Sequence, residues 1–460
     1  MLAEKYDLRK IAILFLAGVA FLWFLIWLYG YLATGKITVK TNDDKNFISI
    51  EDVHSTANTF NKPVTQSNEL TKRVKPGKYM VYVSNQAGHN TTSKVVSVKA
   101  RQKVELTPNP SEVSSAEPVY GGSASSISAD SANLFFIDGA DSSLALANVS
   151  GLSYPFHNIY KKIEWLTPGE GVGQGIDGSL FYIKNGQEQA IALPFGGVEG
   201  FSLAKNGDLY ISKNKNVFVG GVGGEFKKIY TTSGGSLKLS AALDKLTIVS
   251  IVGGEDEKTT LETISKQGKL LNKQEQGVRS AQWSPDGKNL AVISQGKVIL
   301  YDSNFKQKLT ITTPSSVLVW RNNHSLAYDQ GNSILLLDTQ TGLSNQLVSG
   351  PTGSSTSNIT FSEDGNYLYF NSVTDDGGQL NRANLDNKDR QSSDALSAFL
   401  PEKVGICELN YINFVKPILL ISYPEDSTLP ENCIKSAKDE LRYYDINPGD
   451  FNFQVSATAN

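Results

Sequence analysis

Cys407 and Cys433 are the only two thiols in a chain of 460 residues. They stand 26 residues apart, so they form either one disulfide, adding roughly 3 kcal/mol to a small module, or two buried free thiols. Two cysteines exclude a disulfide-stapled scaffold and a zinc site of four cysteines. The four histidines, His54, His89, His157 and His324, have no metal-ligand spacing between them. His54, His89 and His324 read as surface or turn residues. No G-x-S-x-G elbow and no H-E-x-x-H occurs, although a Ser-His-Asp triad can assemble from distant residues without a motif.

Other motifs reduce to local structure. Residues 173–178 read GQGIDG, the form of a dinucleotide loop, but that loop must open a helix whose N-terminus meets the pyrophosphate. Here SLFYIKNG follows, a strand pattern, so the run reads as a turn. Residues 220–224, GGVGG, are likewise a flexible loop. Glu255, Asp256 and Glu257, and Asp375 with Asp376, offer carboxylates to a hard cation such as calcium. Neither group alternates as D-x-D-x-D, and both read as solvated hairpin tips. A carboxylate pair for glycoside hydrolysis is defined by its separation in space. Trp165, Trp283 and Trp320 could stack on a sugar. Trp283 and Trp320 precede a turn at the repeat position that Phe361 also fills, which points them into a core. Trp165 lies outside that register and is the open candidate. The sequence calls for no catalytic residue, no cofactor and no metal.

The elements that would position such residues begin with composition. Charged residues are 19%, hydrophobic ones 40%, and the formal net charge is −3. Without a basic surplus there is no case for a nucleic-acid partner. Tyr (19), Phe (20) and Gly (40) are plentiful, which favours many short strands joined by turns.

Residues 11–33, IAILFLAGVAFLWFLIWLYGYLA, carry no charge. At about 1.5 Å per helical residue they would span a hydrocarbon core of ~30 Å. Lys5, Arg9 and Lys10 precede them, so residues 1–10 are expected in the cytoplasm and the bulk of the chain outside. The alternative, a cleaved signal peptide, has a shorter apolar region and a small-x-small exit; here the exit is the bulky WLYGYLATG. The expectation is a single-pass signal anchor with the membrane as one partner.

Residues 36–106 alternate as strands. Pro76 and Gly77 make a turn, after which Tyr79, Val81 and Val83 share one face. The order strand, turn, PG-x-Y-x-V-x-V, turn, V-x-V, V-x-L resembles the PEGA domain, which implies a small β-sandwich. The usual PxGA motif is replaced here by NDDKNFISIEDV. Residues 107–122, rich in Pro, Ser and Glu, read as a linker.

Residues 123–398 contain an internal repeat. Its clearest copies are AQWSPDGKNLAVISQGKVILYDSN and ITFSEDGNYLYFNSVTDDGGQLNRANLD. Turn residues fall at Asp130, Asp177, Asn206, Asp244, Asp286, Asn323 and Asp364, with a mean spacing of 39 residues. That is close to the ~40–45 of a four-stranded propeller blade, and seven turns imply seven blades. The W-S-P-D-G and F-S-E-D-G forms resemble the WD40-like repeats of TolB-type propellers. Residues 399–460 break the period. An apolar strand, a helix with Ile434, Ala437 and Leu441 on one face, and FNFQV predict a small α+β module.

The fold class is therefore mainly β: an N-terminal transmembrane helix, a small β-sandwich, a seven-bladed β-propeller and a small C-terminal α+β module. The function expected is extracytoplasmic recognition or scaffolding at the cell envelope, with propeller loops such as 253–258 and 374–378 binding an envelope protein or glycan. The alternatives are a hydrolase with its site in the central channel, and a structural spacer.

Overall fold

The computed structural model describes residues 16–19, 21, 33–41, 46–52, 65–84, 91–107, 114, 116–148, 150–252, 258–275, 277–340, 342–349, 354–374, 377–385, 403–404, 407–413, 417–424, 430–443 and 448–458. The chain forms two compact units, 1–111 and 112–460.

The expected transmembrane helix at 11–33 is corrected. Among the described residues no helix is long and apolar enough to cross a membrane. Of that segment, only residues 16–19, Phe21 and Ala33 are described, and Leu16 and Phe21 are exposed; the remainder, with Lys5, Arg9 and Lys10, lies outside the described residues. A span needs about 20 apolar residues in one helix. The longest described helix, Pro430–Tyr443, has 14 residues and carries Lys435, Lys438, Asp439 and Arg442.

In the first unit, strand Gly35–Lys40 pairs antiparallel with Glu69–Val74 and parallel with Lys103–Leu106. A second sheet holds Phe47–Asp52, Gly77–Ser84 and Thr91–Val98. Ile37, Val39, Ile48, Ile50, Tyr79, Val81 and Val83 form one core between the two sheets. Period-two alternation thus puts every second side chain of Gly77–Ser84 inside, and Tyr79 Oη donates to the Lys75 carbonyl at 2.9 Å beneath the Pro-Gly turn.

Among the described residues, the strands of the second unit group into seven successive antiparallel blades in chain order, five of them separate four-stranded sheets. They are blades 1 to 7, at 124–153, 160–190, 200–231, 235–275, 278–312, 318–349 and 355–384, the last completed from elsewhere. First strands contact one another in sequence from Ala124–Ala129 round to Ser355–Phe361, which meets Ala124–Ala129 again. The ring is closed. Its core is a set of layers between blades: Phe135, Ile163 and Ile183 between 1 and 2; Tyr210, Leu237 and Ile248 between 3 and 4; Ala327, Ile334 and Phe370 between 6 and 7. Central strands such as Leu134–Asp138 and Asn289–Ser294 are buried at every residue, which is why they lack alternation. Burying each large apolar side chain contributes about 1.5–3 kcal/mol.

The segment 107–122 is not only a linker. Ala116–Tyr120 is a strand, and it supplies the fourth strand of blade 7 by pairing Tyr120 with Leu380 and Glu117 with Arg382. Arg382 Nε and Nη2 both reach Glu117 Oε1, at 2.7 and 2.6 Å. Asn371 adds a clamp to blade 1: its Oδ1 accepts the Ala124 N–H at 3.1 Å, and its Nδ2 donates to the Ala124 carbonyl at 2.6 Å.

The C-terminal module continues that sheet. Cys407–Asn413 meets the closing strand at the Ile412–Tyr120 pair, lies antiparallel to Pro417–Pro424, and is followed by the parallel strand Asn452–Thr458. The helix buries Cys433, Ala437 and Leu441, one turn apart, on Leu409, Leu419 and Ile421. Cys407 and Cys433 are bonded, with Cα atoms 5.7 Å apart. Gln454 fastens the module to blade 1, donating to the Leu152 carbonyl at 2.8 Å and accepting its N–H at 3.3 Å.

Candidate functional site

The first strands line a central cavity of about 760 Å³, open where each strand turns into the second. Five of the seven first turns share a device, an Asp or Asn side-chain oxygen that accepts the backbone N–H two residues on. Asp130, Asp286 and Asp364 each accept a backbone N–H two residues on, at 2.6, 3.1 and 3.0 Å. An Asx turn of this kind replaces a backbone turn bond. Asp364 is held below the usual carboxylate range by the Ser362 hydroxyl and the Asn366 N–H. For Asp286 burial works the other way, but the Ser284 hydroxyl and the Lys288 N–H outweigh it and its carboxyl is also lowered.

Blade 2 is phased differently. Asp177 lies between its second and third strands, and its Oδ1 accepts the Ser179 N–H at 2.9 Å. The first turn of blade 2 is at Pro168 and Gly169, so the sequence phasing is corrected by one strand. Rephased on Pro168, Trp165 occupies the position of Trp283 and Trp320, three residues before the turn. It is not out of register. All three indoles are committed to neighbouring blades: Trp165 Nε1 donates to the Ser126 carbonyl, Trp283 Nε1 to Thr247 Oγ1 at 2.8 Å, and Trp320 Nε1 to the Gln282 carbonyl at 3.1 Å. Lys245 Nζ lies 4.7 Å from the Trp283 ring centre. Such indoles brace the ring; Trp283 and Trp320 are buried, while Trp165 is half-buried and lines the cavity.

One residue earlier sits a polar position that joins blades. Ser126 Oγ accepts the Ile163 N–H at 2.9 Å, Glu164 Oε2 the Leu203 N–H at 2.6 Å, Ser202 Oγ the Ala241 N–H at 3.0 Å and Ser240 Oγ the Trp283 N–H at 3.3 Å. Each side chain satisfies a backbone donor that its own sheet leaves unpaired. Glu164 also receives Ser202 Oγ at 3.2 Å and pairs with Lys162. At blade 5 the series stops: Gln282 Oε1 is buried without a partner.

Charged groups in the lining are Lys162, Glu164, Lys205, Arg321 and Glu363. Lys205 donates to the Leu166 carbonyl at 3.3 Å and Arg321 to the Gly365 carbonyl at 2.7 Å. Ser284, the hydroxyl nearest the rim of blade 5, donates to Asp286 at 2.7 Å and accepts the Asn289 N–H at 2.9 Å. These bonds build walls and turns. The rim is open and mixed: Leu243, Pro285, Lys205 and Glu363 are exposed, while Leu166 and Pro168 are half-buried. Rigid walls with an open rim of apolar and charged groups can hold a chain segment by burial and charge pairing.

No protein-family model matches the chain, and no curated protein matches it. The PEGA and TolB-type resemblances therefore have no family match behind them. Among solved structures, the chain is similar to one described as "YCF48 bound to D1 peptide", at 13% identity over 60% of this chain and 99% of that one, with a TM-score of 0.45. It is similar also to one described as "Crystal Structure of Mitotic Checkpoint Complex", at 12% identity over 59% of this chain and 94% of that one, TM-score 0.45. The propeller assignment stands on the strand order and ring contacts of the chain itself.

The remaining sequence candidates are dispersed. His157 lies in the link between blades 1 and 2, its N–H bonded to Glu188, and His324 lies in the first turn of blade 6. His54 and His89, the acidic tip Glu255, Asp256 and Glu257, and the pair Asp375 and Asp376 lie outside the described residues. Among the described residues no group of three His, Cys, Asp or Glu could hold a metal. Residues 173–178 end the second strand of blade 2 and turn into the third. A Cβ at Gly173 would come within 2.4 Å of the Tyr160 ring, so glycine there serves close packing of first and second strands.

Proposed function

We propose that the protein is a recognition scaffold that holds a segment of a partner protein at the turn-lined mouth of the propeller. The observation that carries the reading is the division of labour around the cavity. Ser126, Glu164, Ser202 and Ser240 are spent on blade-to-blade bonds, and the exposed rim offers Leu243, Pro285, Lys205 and Glu363 to solvent. Binding at a rigid mouth loses little conformational entropy, which favours affinity from modest area. A glycan is the less favoured ligand, because two of the three indoles that would stack on it, Trp283 and Trp320, are buried between blades. Leu243→Asp and Pro285→Asp should abolish capture of the natural partner without lowering the melting temperature. Undiminished capture by both variants would reject the mouth. Hydrolytic turnover of envelope peptides or glycans, lost on Glu164→Gln at unchanged melting temperature, would favour the hydrolase instead.

We also infer an extracytoplasmic location. Its support is the Cys407–Cys433 bond, since disulfides persist in oxidising compartments and are rare in reducing ones. Alkylation in freshly quenched cells should label neither cysteine until a reductant is added. Full labelling without reductant would contradict the location.

A further inference from the structure

The rim continues outward at blades 3 and 4 into a surface that the cavity does not explain. Asn206 Nδ2 donates to the Leu243 carbonyl at 3.1 Å, and Lys266 N–H to the Asp244 carbonyl at 2.9 Å. Lys266 Nζ lies 2.6 Å from Asp208. Gly268, at φ 85°, approaches the Ile229 carbonyl so closely that a Cβ would stand 1.9 Å from its oxygen. These contacts join the first turns of blades 3 and 4, the 266–269 turn and strand Lys227–Thr231 into one continuous surface.

Its composition is unusual for this chain. Leu243, Leu270 and Leu271 are 43%, 44% and 44% exposed and stand at the two turns of blade 4 that the Lys266 N–H joins; a scattered apolar residue needs no explanation, but three at adjoining turns do. Lys205, Lys227, Lys228 and Lys269 are exposed around them. None of the four makes an ion pair among the described residues, whereas Lys266 and Lys273 are matched by Asp208 and Glu262. Glu225 and Asp244 are the exposed acids nearby. A protein of net charge −3 thus concentrates unmatched positive charge beside exposed leucines. Lys205 and Leu243 belong both to this surface and to the cavity wall, so a ligand can run from one into the other. An extended chain can do that; a flat lipid surface cannot follow the turn into the cavity.

We infer that the partner segment is an acidic peptide with interspersed aliphatic residues, laid across blades 3 and 4 with one end in the cavity mouth. The inference rests on the recognition reading and names the chemistry of its ligand. Carboxylates answer Lys205, Lys227, Lys228 and Lys269, and aliphatic side chains cover Leu243, Leu270 and Leu271. Complementary charge of this kind raises the association rate and selects the partner, and it weakens with salt.

The test uses the full chain and a fluorescein-labelled peptide of alternating Asp and Leu, titrated by anisotropy at low and high salt. A Lys-Leu peptide and phosphatidylglycerol vesicles are run beside it. The expected result is saturable binding of the Asp-Leu peptide that weakens with salt, with Kd rising about tenfold in Lys227→Glu/Lys228→Glu and in Lys269→Glu. These residues are exposed, and an unchanged melting temperature confirms folding. Equal binding of the Lys-Leu peptide, indifference to the reversals, or lysine-dependent binding of vesicles without binding of the peptide would each overturn the inference. Natural partner captured equally by the wild type and both reversals, yet lost in Leu243→Asp, would sink the acidic-peptide inference while leaving the mouth as the recognition site.

Discussion

Ser202 and Ala241 stand 39 residues apart in the chain and one blade apart in the ring, and the Ser202 hydroxyl accepts the Ala241 N–H at 3.0 Å. The same relation joins Ser126 to Ile163, Glu164 to Leu203 and Ser240 to Trp283. Four successive junctions are therefore fixed by one polar side chain each, placed four residues before the first turn. The cavity mouth owes its rigidity to these bonds, because its rim residues hang from the strands they join.

Removing one such acceptor strands a part-buried N–H. Ser202→Ala should destabilise by about 1–3 kcal/mol, and Glu164→Ala by a similar or larger amount because its carboxylate is charged. Chemical denaturation read by tryptophan fluorescence measures this directly. Ser131→Ala, on the exposed side of the blade 1 turn, serves as the neutral comparison.

Blade 7 is completed by Ala116–Tyr120, so a chain beginning at Gly122 should lose cooperative folding, while one beginning at Glu112 should melt in a single transition. Val119 is fully buried and Tyr120 nearly so, and their loss exposes an unpaired edge on Gly377–Asn384. Size-exclusion chromatography and thermal scans of the two chains decide the matter. Equal behaviour would mean that the closing strand is dispensable.

Reducing Cys407–Cys433 should loosen the C-terminal module first. The closed loop of 26 residues corresponds to roughly 3 kcal/mol in the chain-entropy account. Cys407→Ser/Cys433→Ser should show a separate low-temperature transition, followed by faster amide exchange at Ile412 and Tyr120, where the module meets the closing strand. A single transition at the wild-type temperature would refute this.

Asp364 gives the turn of blade 7 an acid sensitivity. Its folded carboxyl titrates below the ordinary value of about 4, through the Ser362 hydroxyl and the Asn366 N–H. A lowered folded pKa contributes stability fully above the unfolded pKa and loses it as pH falls through the folded one. The stability advantage of the wild type over Asp364→Asn should therefore be present near pH 6 and be lost as the pH falls through the lowered folded-state value. An advantage that persists in acid would assign the effect to shape and not to charge.

Much of this was legible in the sequence because a repeat states its own period. The turn residues Asp130, Asn206, Asp244, Asp286, Asn323 and Asp364 all fall between first and second strands. Blade 2 misled because its first turn uses Pro168 and Gly169, and Asp177 offers an equivalent signal one hairpin later; the apparent isolation of Trp165 followed from that slip. Counting four residues back from each turn, with blade 2 phased on Pro168, would have exposed the polar series Ser126, Glu164, Ser202 and Ser240. The closing strand was hidden for a different reason. AEPVY is short, contains a proline and lies against a low-complexity run, and only its long-range partner, 265 residues away at Arg382, makes it a strand. The surface at blades 3 and 4 was illegible because Leu243, Lys227 and Lys269 come from separate turns and strands. The apolar run at 11–33 shows the opposite limit, where hydropathy suggested a span that no described helix provides.

The central claim is that a partner protein is held at the turn-lined mouth. Its most direct test is site-specific photo-crosslinking in the full chain, with the crosslinker placed at Pro285 on the mouth or at Ile176 on the opposite face, both exposed. The account predicts one discrete protein adduct from Pro285, suppressed by Leu243→Asp, and none from Ile176. An adduct to the same protein from Ile176 with none from Pro285 would contradict it and move recognition to the other face of the ring.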